Sequence, residues 1–159
     1  MRQLIIVLSV SLIMLSACKN SEKTNQKNGN VITTDITNFW NAYDQIITTQ
    51  DSVLQYKYLD SLYLDKGTAG LEGIIKARSY TAEEYINAIN NYPEFWNSIR
   101  ENTLQANNVS SQLQDGIRKL KLIYPELKPA KSYFSIGAFR TPGTTMDSLV
   151  LIGSELAME

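Results

Sequence analysis

Only one stretch of the sequence has the pattern of paired β-strands, and this restricts the fold more than any other feature. Two runs rich in aromatic and β-branched residues, 132–139 and 147–153, lie on either side of Pro142 and Gly143. Proline presets φ at the first turn position and glycine accepts a positive φ at the second, so the arrangement predicts a β-hairpin. Four consecutive apolar residues, 149–152, predict that the second strand is covered on both faces.

The chain before this stretch is helical in pattern. Apolar residues recur at helical spacing in 35–50, 51–64, 71–77 and 110–124, with two more helices opening at Thr81 and Pro93. Thr81 and Glu84 form a capping-box sequence, Asp51 is a candidate N-cap, and glycines predict a break over 65–70. The expected fold class is α+β, with a layer of about five helices followed by the β-hairpin.

The helical spacing also predicts which side chains point inward, and which residues begin the helices. Thr34 or Asp35 is expected to cap the first helix through its side chain. In the second helix the inward residues are expected to be Leu54, Tyr58, Leu62 and Tyr63. In the last helix they are expected to be Leu113, Ile117, Leu120 and Tyr124.

Composition excludes several kinds of function. The chain has 15 Lys and Arg against 16 Asp and Glu, scattered along its length, which disfavours nucleic-acid binding because phosphate recognition needs clustered positive charge. It has no histidine and a single cysteine, Cys18, so a zinc site with nitrogen and sulfur ligands cannot be built within this chain. We therefore expect no cofactor and no metal site here.

The N-terminus has the sequence of an export signal. A short positive start precedes an apolar run, 4–15, which is too short for the roughly 20 residues of a membrane-spanning helix. Leu15, Ser16, Ala17 and Cys18 then match a bacterial lipobox, in which a peptidase cleaves before the cysteine and the thiol carries a diacylglycerol. The pattern predicts Cys18 as the lipidation site and the membrane as a partner through its acyl chains.

These features divide the chain into three parts. Residues 1–17 are predicted as a lipoprotein signal peptide, and 18–33 as a flexible tether, because 19–30 contains no apolar residue. Residues 34–159 are predicted as a single α+β domain. The expected location is the cell envelope, at the outer membrane or cell surface.

Several short motifs in the mature chain occur in the same order in a known family. The chain resembles gliding-motility-type bacterial lipoproteins and related predicted zinc-dependent proteases. The motifs are Phe39-Trp40, Gly70-Leu71, Ala77-Arg78, Tyr92-Pro93-Glu94-Phe95-Trp96, Tyr124-Pro125, Tyr133-Phe134, Gly143-Thr144 and Ile152-Gly153-Ser154-Glu155.

The resemblance implies the N-terminal part of a zincin-like domain. In complete relatives a later helix would carry His-Glu-x-x-His, whose histidines bind zinc and whose glutamate activates water. This sequence has no matching position, so zinc is expected only in complete relatives and no catalytic or metal residue is assigned. We expect the chain to be truncated at its C-terminus relative to that family, and inactive as given.

The residues alone do not assign an enzymatic activity, and a second interpretation stays open. The chain could be a non-catalytic binding or scaffold lipoprotein that contacts an envelope protein or a peptide. Among the remaining charged residues, Glu155 is expected to be solvated at a strand end, or to lie near the metal in a complete relative. Arg78 and Arg140 are expected to form ion pairs or to be exposed, with anion binding as the alternative.

Overall fold

The computed structural model describes residues 30–159. The helices are α1 (Thr34–Ile46), α2 (Ser52–Leu62), α3 (Ala69–Arg78), α4 (Ala82–Asn91), α5 (Pro93–Leu104), α6 (Ala106–Ile123) and the short α7 (Ser154–Ala157). The strands are β1 (Val31–Ile32), β2 (Lys131–Ser135), β3 (Gly143–Met146) and β4 (Leu149–Gly153). The fold is therefore α+β, with a helical layer before most of the sheet, as predicted.

Local signals set several helix boundaries as predicted. The Asp51 carboxylate accepts hydrogen bonds from the backbone N–H groups of Val53 and Leu54 at the start of α2. Both bonds of the capping box between Thr81 and Glu84 are present, and Pro93 is the first residue of α5. Proline suits that position because the first N–H of a helix has no partner within the helix.

The sheet differs from the predicted hairpin. Its strand order is β1-β2-β4-β3, with β1 parallel to β2, β2 parallel to β4, and β3 antiparallel to β4. The two runs expected to pair as a hairpin are thus parallel neighbours. The hairpin that does form joins β3 to β4 through Asp147 and Ser148, and Asp147 adopts a left-handed φ of 51°.

The predicted hairpin between 132–139 and 147–153 does not form, for a physical reason. Pro142 and Gly143 do not turn the chain between paired strands but lead it into β3, which returns to the edge of the sheet where β2 began. β4 then inserts between β2 and β3, so Tyr133 faces Leu151 in parallel register. A turn sequence acts only on neighbouring residues, so it does not determine which strand lies in the middle of the sheet. Leu151 is buried and the other three residues of the run 149–152 are half-buried, so both faces of β4 are at least partly covered.

β1 lies inside the segment predicted as a tether. Val31 and Ile32 pair with Ser132 and Tyr133, so part of the segment predicted as a tether, 18–33, belongs to the sheet. Residues 1–29, which include the predicted signal peptide and Cys18, lie outside the described residues.

The core lies where the helices pack against the sheet, and it includes both Tyr133 and Phe134, which point to opposite faces of β2. α3 approaches the sheet closely: a Cβ at Gly70 would lie 2.2 Å from the Cβ of Tyr133, so only glycine permits this contact. The helix break predicted over 65–70 is present between α2 and α3, although α3 begins within that range, at Ala69, and includes Gly70. On α1 and α5 a cluster of aromatic rings fills the space, with Phe39 4.9 Å and Trp40 6.1 Å from the ring centre of Trp96.

Two helices present different faces from those predicted. In α2 the buried residues are Gln55 and Leu59, and the Gln55 side-chain amide donates to the Thr49 carbonyl at 2.9 Å. Of the predicted inward residues Leu54, Tyr58, Leu62 and Tyr63, only Tyr63 is buried. In α6 only Ala106 is buried, and of the predicted inward residues Leu113 and Ile117 are half-buried while Leu120 and Tyr124 are exposed.

Candidate functional site

The three parallel strands, β1, β2 and β4, have their carboxyl ends on the same side of the sheet, which we call the carboxyl edge. β1 leads there into α1, β2 into the segment 136–142, and β4 into α7. In sheets with parallel strands, ligands bind most often just beyond the carboxyl ends. This edge is therefore the first place to look for a site, and it contains two carboxylates, Asp35 and Glu155, that are almost completely buried.

Asp35 lies in the first turn of α1. Its carboxylate accepts hydrogen bonds from the Thr68 backbone N–H at 2.9 Å, from the Thr68 hydroxyl at 2.7 Å and from the Ser135 hydroxyl at 2.8 Å. The prediction that Thr34 or Asp35 caps α1 is wrong, since the N-cap residue is Thr33 and it makes no side-chain capping bond. Asp35 instead joins α1 to the start of α3 and to the end of β2.

Glu155 packs against the segment that follows β2, residues 136–140. Its exposure is 0%, and its carboxylate accepts hydrogen bonds from the Gly137 N–H at 2.9 Å and the Phe139 N–H at 3.4 Å. No lysine or arginine forms an ion pair with it within residues 30–159. Burial raises the pKa of the Glu155 carboxyl to about 7, and the backbone N–H bonds offset this only in part. The expectation of a solvated Glu155 is therefore wrong.

The segment 136–140 lies directly against this carboxylate because residue 137 is glycine. A Cβ at Gly137 would lie 2.7 Å from Glu155 Oε1 and 2.9 Å from the Tyr80 hydroxyl oxygen. Two residues later, Phe139 adopts a φ of 63°, which is uncommon for a residue with a bulky side chain. Its ring stacks on Trp96 at 4.8 Å and meets Phe95 edge-on at 4.9 Å, so aromatic packing stabilises this conformation.

Three tyrosine hydroxyls form hydrogen bonds with the backbone of the segment 136–140. The Tyr63 hydroxyl donates to the Ile136 carbonyl and accepts from the Ile136 N–H, and the Tyr85 hydroxyl donates to the same carbonyl. The Tyr80 hydroxyl accepts from the Arg140 N–H at 3.1 Å. Burial is the main cause that raises the pKa of all three tyrosines, so they remain neutral hydrogen-bonding groups at neutral pH.

The two arginines singled out in the sequence lie at the rim of this edge. Arg140 forms an ion pair with Glu84 at 2.9 Å, and its guanidinium lies 5.4 Å from the ring centre of Tyr80. Arg78 donates to the Thr141 hydroxyl at 3.4 Å, while its Nε and the Ser154 hydroxyl have no partner within residues 30–159. Ion pairing, one of the two expectations, is thus confirmed for Arg140.

The surface grooves lie elsewhere. One of about 520 Å³ runs between α1 and α2, and it is lined by Asn41, Asp44, Gln45, Lys57, Tyr58, Ser61, Leu62 and Lys66. At its margin Asp44 makes a bidentate ion pair with Arg100, with N–O distances of 2.6 and 2.8 Å, and this bond lowers the pKa of Asp44. A second groove, of about 440 Å³, lies beside Tyr92 and Phe95.

The described residues contain neither a cluster of metal ligands nor a membrane-spanning helix. Within 30–159, no three His, Cys, Asp or Glu side chains lie close enough together to hold a metal ion. No helix in that part of the chain is both long enough and apolar enough to span a membrane. The predicted lipidation site, Cys18, is outside this range, so its assignment stays a prediction from sequence.

The fold and the strand edge define an α+β domain with a small mixed sheet, whose carboxyl edge is filled by its own buried carboxylates and tyrosines. Comparisons with protein-family models, curated proteins and solved structures found no match for the chain. The resemblance to gliding-motility-type lipoproteins and predicted zinc proteases therefore stays a prediction.

Sequence reasoning missed most of the network at this edge. Tyr63 was expected inward, but its bond to Ile136 was not, and neither Asp35 nor Glu155 was expected to be buried. One available signal was the order of the elements. Asp35 and Glu155 each follow closely after a short apolar strand, which places them at a common edge once the strands are known to be parallel.

Proposed function

We propose that the protein is a lipid-anchored envelope protein whose folded domain acts by binding a partner rather than by catalysis. The observation that carries the anchor is the lipobox, Leu15-Ser16-Ala17-Cys18, directly after the apolar run 4–15. Small residues at 16 and 17 fit the extended backbone that a signal peptidase binds. The deprotonated Cys18 thiol displaces the phosphate-bearing headgroup of a phospholipid from its diacylglyceryl group, which forms a thioether, and cleavage before Cys18 makes it the first residue of the mature chain.

The contents of the strand edge support binding over catalysis. Glu155 is covered by Gly137 and Phe139, and the hydroxyls of Tyr63 and Tyr85 are used to bind backbone. Within residues 30–159 these groups are buried and their polar atoms are hydrogen-bonded to backbone, so none of them is exposed to a substrate. A partner would therefore contact the outer surface, and the groove between α1 and α2, with charges of both signs, suits an extended peptide.

The family resemblance supports a related proposal, in which the domain is a non-catalytic relative of predicted zinc peptidases. The DNA downstream of the codon for Glu159 discriminates between the two. Codons for a His-Glu-x-x-His helix in the same reading frame would favour the peptidase relative. A natural stop codon would favour the small binding protein.

The anchor is tested with the full chain expressed in a bacterium that is fed labelled fatty acid. The unsubstituted protein should take up label and enter the detergent phase, whereas Cys18→Ser should take up no label and should either be released into the soluble fraction or accumulate as an uncleaved precursor. Ser21→Ala, three residues beyond the lipobox, serves as the matched control and should behave as the unsubstituted protein does. Normal processing and detergent partitioning of Cys18→Ser would overturn the anchor.

A further inference from the structure

The C-terminal end of α6 is the most exposed apolar part of the described chain. The side chains of Leu120, Leu122, Ile123 and Tyr124 are 48%, 80%, 82% and 51% exposed. We call residues 120–124 the α6 tip. Clustered exposed side chains of this size mark contact surfaces, because a monomeric soluble domain rarely leaves them in water.

The apolar side chains of the tip cover a wide arc of the helix rather than a narrow stripe. Successive residues are rotated by about 100° around an α-helix, so Leu122 points away from Leu120 by about 160°. Ile123 lies between them, and Lys121 points to the opposite side. A helix that docks into a protein groove needs only the narrower face at positions i, i+3, i+4 and i+7, to which Leu120, Ile123 and Tyr124 belong and Leu122 does not. The wider apolar arc, with a lysine on the remaining side, suits a helix that lies at a lipid headgroup boundary.

The topology places the α6 tip near the amino ends of β1 and β2, where Asn30, the first described residue, also lies. The hydroxyl of Thr33, just after β1, donates to Asn107 in the first turn of α6, and α6 then leads back to the amino end of β2. At that end the Ser132 N–H donates to the carbonyl of Asn30, the first described residue. The helix therefore runs antiparallel to β1 and β2.

The lengths of the elements explain why the tip is exposed. From Asn107 to Ile123 the helix extends about 24 Å at 1.5 Å per residue. From Thr33 back to Asn30 the extended chain covers only about 10 Å. The last two to three turns of α6 therefore extend further than β1, which agrees with the exposure of the α6 tip.

The sequence in and around the α6 tip has an excess of basic residues. Between residues 118 and 131 there are five basic side chains and one acidic side chain, Glu126, and all six are exposed. Of the five, Arg118 is paired with Asp115 at 2.8 Å. We call the five the basic collar: Arg118, Lys119, Lys121, Lys128 and Lys131. The chain as a whole has a net charge of −1, so the collar is a local excess.

We propose that the α6 tip inserts into the headgroup region of an anionic lipid bilayer, with the basic collar binding the lipid phosphates. Apolar side chains enter the acyl boundary while long cationic side chains reach back to the headgroups. A second copy of this chain is disfavoured as the occupant, because it would bring one basic collar against another. The biological setting of this inference rests on the proposed lipid anchor.

The anchor and the tip are geometrically compatible. The twelve residues from Cys18 to Asn30 span at most about 43 Å, and the seven from Tyr124 to Lys131 at most about 25 Å. An acyl group on Cys18 would thus keep Asn30, at the amino end of β1, within about 43 Å of the bilayer surface. Insertion of the tip would then orient the groove between α1 and α2 relative to the membrane.

The test uses residues 19–159, which contain the whole described core and no cysteine, so it does not depend on lipidation. The protein is sedimented with vesicles of neutral phosphatidylcholine alone, and with vesicles that contain phosphatidylglycerol. We expect binding to the anionic vesicles that weakens as salt is raised. Leu122→Ser together with Ile123→Ser should weaken binding about tenfold or more, because two exposed apolar anchors are lost.

Matched controls separate the tip from general hydrophobicity and charge. Val53→Ser removes an apolar side chain that is 74% exposed on α2, and it should bind vesicles as the unsubstituted protein does. Lys119→Gln with Lys128→Gln should reduce the dependence of binding on salt, while Lys76→Gln, on the exposed surface of α3, should not. Circular dichroism checks that each variant is folded.

Several outcomes would overturn the inference. These are no binding to anionic vesicles, equal binding by the tip variant, or self-association that the tip variant abolishes, which would make a second copy the occupant. The anchor and the tip can fail independently. Label on Cys18 without vesicle binding would overturn the tip alone, and vesicle binding without label on Cys18 would overturn the anchor alone.

Discussion

Glu155 gives the domain a pH-dependent stability that can be calculated from its surroundings. The carboxyl is buried without a countercharge and its pKa is about 7, against an ordinary value of 4.5. Between these two pH values the folded protein holds a proton at Glu155 that the unfolded chain has released. The free energy of unfolding therefore falls as the pH rises from 4.5 to 7, by about 3 kcal/mol in total. Below pH 4.5 the contribution is fully present, and above pH 7 its loss is complete.

The substitution Glu155→Gln isolates this effect. Glutamine keeps the size of the side chain and one acceptor for the Gly137 N–H, but it cannot ionise. Its stability relative to the unsubstituted protein should therefore improve by about 2 to 3 kcal/mol between pH 5 and pH 8. The pH dependence of other groups, such as Asp44, whose lowered pKa stabilises the fold at higher pH, cancels in this difference.

The assay is urea unfolding at pH 5 and pH 8, followed by the fluorescence of Trp40 and Trp96, both of which are buried. Glu126→Gln is the control, since it removes an exposed carboxylate and should change the free energy of unfolding equally at both pH values. If Glu155→Gln and the unsubstituted protein differ by the same amount at both pH values, Glu155 is ionised throughout. The reasoning from burial would then be refuted.

Two further predictions concern stability and use the same unfolding assay. Gly70→Ala should destabilise the fold by about 2 kcal/mol or more, because the added Cβ would lie 2.2 Å from the Cβ of Tyr133. Gly116→Ala should stabilise the fold by about 0.5 to 1 kcal/mol, because alanine favours the helix and nothing lies within 4 Å of the added Cβ. Equal effects of the two alanines would contradict the close contact of α3 with the sheet. Thr81→Ala should cost about 1 kcal/mol, because it removes the side-chain acceptor for the Glu84 N–H, and Ser98→Ala, on the exposed surface of α5, should cost less. No loss for Thr81→Ala would contradict the capping box.

The sequence by itself determined the features that depend on residues close together in the chain. The cap at Asp51, the capping box at Thr81 and Glu84 and the helix start at Pro93 all occur as predicted. Each is decided within a few residues by the partners that free backbone N–H groups find. The fold class also followed, because helical spacing and strand patterns occupy separate parts of the chain.

Only the tertiary structure decided how these elements meet. The parallel pairing of β2 with β4 depends on where β3 lies, and the burial of Asp35 and Glu155 depends in turn on that pairing. The α6 tip shows the same limit from the opposite side. Leu120 and Tyr124 have the spacing of core residues, yet they are exposed because α6 is longer than the sheet edge beside it. Periodicity records which residues share a helix face, whereas the position of neighbouring elements decides whether that face is covered.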